Sequence, residues 1–150
     1  MTLPENDFLD RLLPKIGKDC VIEASFPKKR RINLSLNKEC LREAITGLRD
    51  EGFHHLSAIT GYDSTEFIEL LYHLDRGGLV ATVRVKLAHD SLQVHTVTDI
   101  IPGAGFYEAE VHELLGVEFI DSPGPTRLVL PDNWPLDSFP LRKKVSKVEI

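Results

Sequence analysis

The stretch from Leu79 to Leu87 alternates Val83, Val85 and Leu87 with Arg84 and Lys86. A period of two places the apolar side chains on one face of a strand and the charged ones on the other, so the chain must contain a sheet with one wet face. Phe67 to Leu74 reads as a second strand, and Asp75-Arg76-Gly77-Gly78 between the two supplies the residues of a tight hairpin turn. Upstream, Cys20 to Phe26 and Arg31 to Leu36 form another hairpin around Pro27-Lys28-Lys29-Arg30, with Ile32, Leu34 and Leu36 alternating against polar neighbours. Phe53 to Thr60 reads as a further strand. The pattern predicts an antiparallel sheet.

Three segments carry helical spacing. Phe8, Leu9, Leu12, Leu13 and Ile16 follow Asn6, read as an N-cap, and Pro14 should end or bend this short lead helix. Asn37 is read as the cap of a helix whose Leu41, Ala44, Ile45 and Leu48 share a face and whose stop is Gly52. From Pro102, Phe106, Tyr107, Val111, Leu114 and Leu115 recur at helical spacing up to Gly116. Beyond Asp121 stand five of the nine prolines and the only tryptophan, so this part reads as an extended tail. The expected fold is α+β: a domain over 1–120 with an antiparallel sheet, two main helices and a short N-terminal helix, then a Pro-rich, partner-binding tail over 121–150.

Composition sets what the chain is for by exclusion. With 150 residues it is one domain that buries roughly 70% of the surface its unfolded form exposes. A net charge of -5 speaks against general nucleic-acid binding, which needs many cations to neutralise phosphates. No stretch reaches the ~20 apolar residues of a membrane helix, and the start lacks the order of a signal peptide, so a cytoplasmic location is expected. Cys20 and Cys40 are too few for an iron–sulfur cluster and lack the spacing for zinc or thiol exchange. Both are read as buried small apolar residues.

The candidate chemistry is thin. Gly103-Ala104-Gly105 precedes a helix, but Glu108 stands where a dinucleotide loop has its third glycine and would repel a pyrophosphate. His112-Glu113 resembles the start of a zinc-protease HExxH, yet Gly116 occupies the second ligand position. Glu108, Glu110, His112 and Glu113 form a polar cluster that spacing alone assigns to solvent, with basic partners across an interface as the alternative. The remaining histidines show no ligand spacing, and the basic run Lys28 to Arg31 reads as a solvated hairpin tip.

The stretch from Pro102 to Lys143 resembles the signature region of the C-type subunit of proton-pumping NADH dehydrogenase, respiratory complex I, and the equivalent small subunit of energy-converting membrane-bound [NiFe] hydrogenases. The matching residues are Pro102-Gly103-Ala104, Phe106-Tyr107, Glu108-Ala109-Glu110, Glu113-Leu114-Leu115, Gly116-Val117-Glu118-Phe119, Leu130-Pro131-Asp132-Asn133-Trp134 and Pro140-Leu141-Arg142-Lys143. Three positions depart from the family pattern. Ala109 replaces an arginine, Ser122 a histidine, and Thr126 one of two arginines, which marks a divergent branch.

The resemblance implies a cofactor-free, non-catalytic subunit in the peripheral arm of an ion-translocating oxidoreductase, attached to the membrane only through the complex. Its implied partners are the D-type subunit of complex I, which resembles a [NiFe] hydrogenase large subunit, and the iron–sulfur subunit. The partner interface is assigned to Glu108, Glu110, Glu113, Arg127, Trp134, Arg142 and Lys143, with at least one of the three glutamates expected to pair with an arginine or lysine. The tail is expected to be dispensable for folding and required for assembly. Two rival readings stand beside this one: a small-molecule domain with a pocket near Gly103 to His112, and an RNA-binding module using Lys28 to Arg31.

Overall fold

The computed structural model of the chain describes residues 5–17, 19–124 and 127–143, and for Glu5 and Asn6 the backbone alone. In order, the elements are α1 (Glu5–Ile16), β1 (Val21–Lys28), β2 (Arg31–Leu36), α2 (Leu41–Asp50), β3 (His55–Asp63), β4 (Phe67–Arg76), β5 (Leu79–Ala88), β6 (Gln93–His95), α3 (Ala104–Leu115) and β7 (Glu118–Ile120). The α+β class expected from the sequence is what the chain adopts.

Strands β1 to β5 form one sheet in the order β1-β2-β5-β4-β3. Gly77 and Gly78 both take positive φ, 54° and 89°, the conformation a two-residue hairpin turn between β4 and β5 requires. All neighbours in this sheet are antiparallel except β2 and β5, which run parallel with Leu34 opposite Val83. The sheet is therefore mixed. Local alternation fixes which face a strand buries but carries no record of its neighbour's direction. A second, two-stranded parallel sheet joins β6 to β7 and brackets α3.

The alternation predicted for β5 holds. Ala81, Val83, Val85 and Leu87 are fully buried beside Leu34, Leu36, Leu70 and Tyr72, while Arg84 and Lys86 point to the opposite face. On that other face Arg84 Nε donates to Glu69 at 2.7 Å and so pairs a carboxylate that is only 2% exposed. On the apolar face α1 packs against α2, and α3 lies over β3. Gly61 of β3 permits the last contact: a Cβ there would stand 2.5 Å from Leu115 Cδ1.

Several local expectations need correction. α1 continues through Pro14 to Ile16, because the main-chain bond Pro14 cannot donate would have gone to Asp10, which is exposed to water. Residue 6 is already helical, so Asn6 is not its N-cap. Asn37 precedes a single 3-10 turn over Lys38–Cys40, and its amide donates to the Asp19 carbonyl instead of capping α2. Cys20 and Cys40 are half-buried and joined as a disulfide, not lodged in the core as separate thiols. The β1–β2 hairpin lies between them in sequence, and closing it brings the two residues together, a proximity that spacing alone does not disclose.

Candidate partner-binding face

α3 begins after Pro102-Gly103 and stops at Gly116, which takes φ 78°. Ala104, Ala109, Val111 and Leu115 are buried as in an ordinary amphipathic helix, but three positions depart from that pattern. Phe106 is 67% exposed, while Glu108 and Glu113 are 1% and 3% exposed. The assignment of this cluster to solvent therefore holds for Glu110 and fails for Glu108 and Glu113. Spacing counts a carboxylate as polar and does not ask which donors await it.

Those donors are main-chain and hydroxyl groups. Glu108 Oε1 accepts from the Thr96 hydroxyl at 2.6 Å and Oε2 from the Val97 N–H at 2.9 Å. The Thr96–Asp99 segment is in turn clamped by Arg42 of α2, which donates to both carboxylate oxygens of Asp99 at 2.7 and 2.6 Å and to the Thr96 carbonyl. That guanidinium holds the Asp99 carboxyl down at about 2. Burial pushes the Glu108 carboxyl above its ordinary value, and its hydrogen bonds only partly offset this.

Glu113 organises the tail. Its carboxylate accepts the N–H groups of Leu128, Val129 and Leu130 at 2.7, 2.6 and 3.4 Å. Burial pushes this carboxyl up, but the three N–H donors, with Arg127 nearby, outweigh it and leave the group below its ordinary value. Within the chain, none of Glu108, Glu110 and Glu113 forms an ion pair with an arginine or lysine among the described residues.

The tail also closes the C-terminal end of α3. The Leu141 N–H donates to the Leu114 carbonyl at 2.9 Å, and Arg142 Nε donates to the Leu115 carbonyl. These carbonyls have no partner within the helix, and the Arg142 cation sits at the negative end of its dipole. Arg142 also lies over the Phe139 ring, 5.4 Å from its centroid. A Cβ on Gly116 would come within 2.7 Å of that ring. Further along, the Lys143 N–H donates to Asp63 Oδ2 at 2.9 Å, while Asp63 Oδ1 accepts from Thr65 N–H and lies 3.1 Å from His89 Nε2. Burial raises the Asp63 carboxyl, and these contacts more than reverse that, leaving it lowered.

The residues assigned to the interface thus play unequal parts. Glu108 and Glu113 serve the chain's own fold, and Glu110 is exposed. Arg127 donates to the Trp134 carbonyl, and the half-buried Trp134 donates its indole N–H to the Ser138 carbonyl at 2.8 Å. Arg142 is half-buried in its cap, and Lys143 is exposed beyond its main-chain bond. Thr126 and the basic residues after Lys143 lie outside the described residues. Residues that spacing missed are Thr96 and Asp63, whose buried roles depend on partners far away in sequence.

The tail contains no helix or strand among its described residues, yet it is fastened at Glu113, at the end of α3 and at Asp63. It nevertheless leaves Leu128, Val129, Leu136 and Leu141 exposed by 41%, 56%, 81% and 54%. Lys28 to Arg31 spans the turn between β1 and β2 and is exposed throughout. Among the described residues no group of three or more His, Cys, Asp or Glu side chains is placed to hold a metal ion, and no helix is long and apolar enough to cross a membrane.

Residues 34–149 match the family described as respiratory-chain NADH dehydrogenase, 30 Kd subunit. The chain belongs to that family. It is 37% identical over 121 residues to NAD(P)H-quinone oxidoreductase subunit J of Prochlorococcus marinus subsp. pastoris, covering 73% of this chain and 68% of the relative. It is 39% identical over 84 residues, 56% of this chain and 14% of the relative, to the C/D subunit of NADH-quinone oxidoreductase from Pseudomonas fluorescens. Its fold matches a chain of the membrane-bound sulfane sulfur reductase, an archaeal respiratory membrane complex, with a TM-score of 0.79 at 26% identity over 95% of this chain and 84% of that one. Relatives of this chain are thus subunits of respiratory complexes, as the resemblance carried by residues 102–143 implied.

Proposed function

We propose that this chain is a non-catalytic bracing subunit of the peripheral arm of a membrane-bound, ion-translocating oxidoreductase, docked on a hydrogenase-large-subunit-like partner of the D type found in complex I. The observation that carries this reading is the tail: it is fixed to α3 by buried hydrogen bonds, yet it turns Leu128, Val129, Leu136 and Leu141 outward. Ordering a segment costs conformational entropy, and an ordered segment that leaves several large apolar side chains in water is built to be covered. The relative named as a C/D subunit supports a D-type partner, since the part matching this chain occupies a small share of a longer polypeptide.

In this reading the chain carries no cofactor, and the electron carriers belong to sister subunits, including an iron–sulfur subunit beside it. Its contact with the membrane is through the complex, from the cytoplasmic side. The mechanism is mechanical: the sheet and α3 give a rigid base, and the fastened tail presents Leu136, Leu141 and Trp134 to the partner. Affinity purification of the tagged chain from its native membranes, with the companions identified by mass spectrometry, tests the proposal. A hydrogenase-large-subunit-like protein in equal amount supports it, and a chain recovered alone, or bearing stoichiometric iron or flavin itself, contradicts it.

A further inference from the structure

A cavity of about 120 Å³ lies between α3 and β7 with the segment that follows it, lined by Glu108, Ala109, His112, Glu118, Phe119, Ser122 and Gly124. This is room for a few waters or one planar polar group, not for a nucleotide. We propose that the cavity is a receptor for a guanidinium group, presented as an arginine side chain by a partner subunit; this rests on the reading of the chain as a subunit of a larger complex.

The lining selects the charge. Glu108 and Glu118 contribute carboxylates, Ser122 a hydroxyl, and among the described residues no arginine or lysine lines the space. His112 Nδ1 lies 2.9 Å from the Val117 carbonyl oxygen, which can only accept, so the neutral ring carries its proton on Nδ1 and its Nε2 is an acceptor. An anion is repelled, and a neutral polar molecule would leave acceptors unpaired. Guanidinium brings five N–H donors and no acceptor, is weakly hydrated, and can lie flat against the Phe119 ring, whereas an ammonium group is compact and holds its water strongly. Glu108 accepts from the Thr96 hydroxyl, the Val97 N–H and the Ser122 hydroxyl, and its two oxygens, with about four lone-pair sites between them, still have room for a further donor.

Ala109 and Ser122, both short, line the cavity and leave its volume open. The chain's own nearby arginine, Arg42, is committed to Asp99 and Thr96. Among the described residues no cation fills the space, and an arginine of a partner subunit brings the matching charge.

The test has two arms. In the first, the full chain is titrated with methylguanidinium while its amide resonances are followed by NMR. Saturable shifts centred on Ala109, His112, Glu118 and Ser122 are expected, with methylammonium at least several-fold weaker and binding at least threefold weaker in Glu118→Gln, whose side chain is 65% exposed and not needed for folding. Absence of saturable shifts there, or equal response to both cations, overturns the receptor. In the second arm, Ala109→Arg fills the cavity from within and should reduce the large subunit recovered with the chain by tenfold or more, with near-UV dichroism unchanged. If that variant fails to fold, Ser122→Tyr fills the same space from the half-exposed segment after β7. Undiminished recovery with a folded variant overturns the partner's arginine as the source. Co-purification of the wild-type chain is scored separately, so loss of the assembly reading and loss of the cavity reading give different results.

Discussion

The main-chain N–H of Lys143 donates to Oδ2 of Asp63 across eighty residues of sequence, at 2.9 Å. It fastens the far end of the tail to the buried end of β3, as Glu113 fastens its beginning to α3. The tail is therefore part of the same hydrogen-bonded unit as the residues before Asp121.

From this follows a prediction that revises the expectation of a dispensable tail. A chain ending at Asp121 leaves Glu113 without three donors and Asp63 without one. Each buried carboxylate stripped of its donors should cost about 1–3 kcal/mol. A 150-residue domain converts each kcal/mol into about 2–4 °C, so the thermal midpoint should fall by several degrees or more. Unchanged calorimetric melting of the truncated chain would show that the tail contributes nothing to stability.

The two buried glutamates should respond oppositely to amidation. Glu113→Gln replaces an oxygen acceptor with an NH2 that cannot accept from Val129 or Leu130, so a loss of about 2 kcal/mol is expected at neutral pH. Glu108→Gln keeps both bonds, because its oxygen can accept from Val97 and its NH2 can donate to the Thr96 hydroxyl. It also removes a charge that burial disfavours, so stability should be unchanged or higher. Glu110→Gln, on an exposed side chain, should move stability by less than about 0.5 kcal/mol. Urea unfolding of the three variants checks the ranking.

The pH profile should show two limbs of opposite sign. Asp63 and Glu113 have lowered folded values, so the stability they contribute is present above the ordinary carboxylate range and is lost as pH falls through those lowered values. Glu108 has a raised folded value, so the native state holds its proton longer than the unfolded chain does, and stability declines as pH rises between the two values. Glu113→Gln should flatten the acid limb and Glu108→Gln the other, as measured by melting from pH 3 to pH 7. A single shared profile would contradict both assignments.

How much of this was legible follows from the range of each interaction. The β4–β5 hairpin, the burial of Val83, Val85 and Leu87, and the stop at Gly116 were readable because each depends on neighbours a few residues away. The parallel pairing of Leu34 with Val83 was not, since it joins distant strands. β6 and β7 have three residues each, too few for a period to register. The buried state of Glu108 and Glu113 was hidden because their donors come from Thr96, Val97 and residues 128–130, and a helical wheel sees none of them. The residues assigned to an interface from the resemblance could be named from sequence, but which of them face outward depends on the path of the tail.

The Cys20–Cys40 bond closes a loop with a sequence separation of 20 around the β1–β2 hairpin. Loop closure of that size contributes about 3 kcal/mol through the unfolded state. Oxidised protein should contain no titratable thiol and should melt several degrees above protein held in dithiothreitol, while Cys20→Ser/Cys40→Ser should melt alike in both. Identical melting of oxidised and reduced wild type would remove the bond from the account.

Gly116→Ala strains a backbone at φ 78° and drives a methyl group into the Phe139 ring, so it should destabilise by more than about 1 kcal/mol and loosen the tail. Protease susceptibility near Phe139 would rise with it. An alanine variant as stable and as resistant as wild type would contradict the cap geometry.

In the proposed assembly the tail's outward apolar side chains dock this chain on a hydrogenase-large-subunit-like partner. The most direct measurement compares wild type with Leu136→Glu/Leu141→Glu, both exposed positions whose change should leave the melting curve within about 2 °C. Each tagged chain is co-expressed with the large subunit, and the ratio of the two proteins recovered is quantified. A one-to-one ratio is expected for wild type and at least a tenfold loss for the folded double variant. Equal recovery of the large subunit by both, or none by wild type, would contradict it.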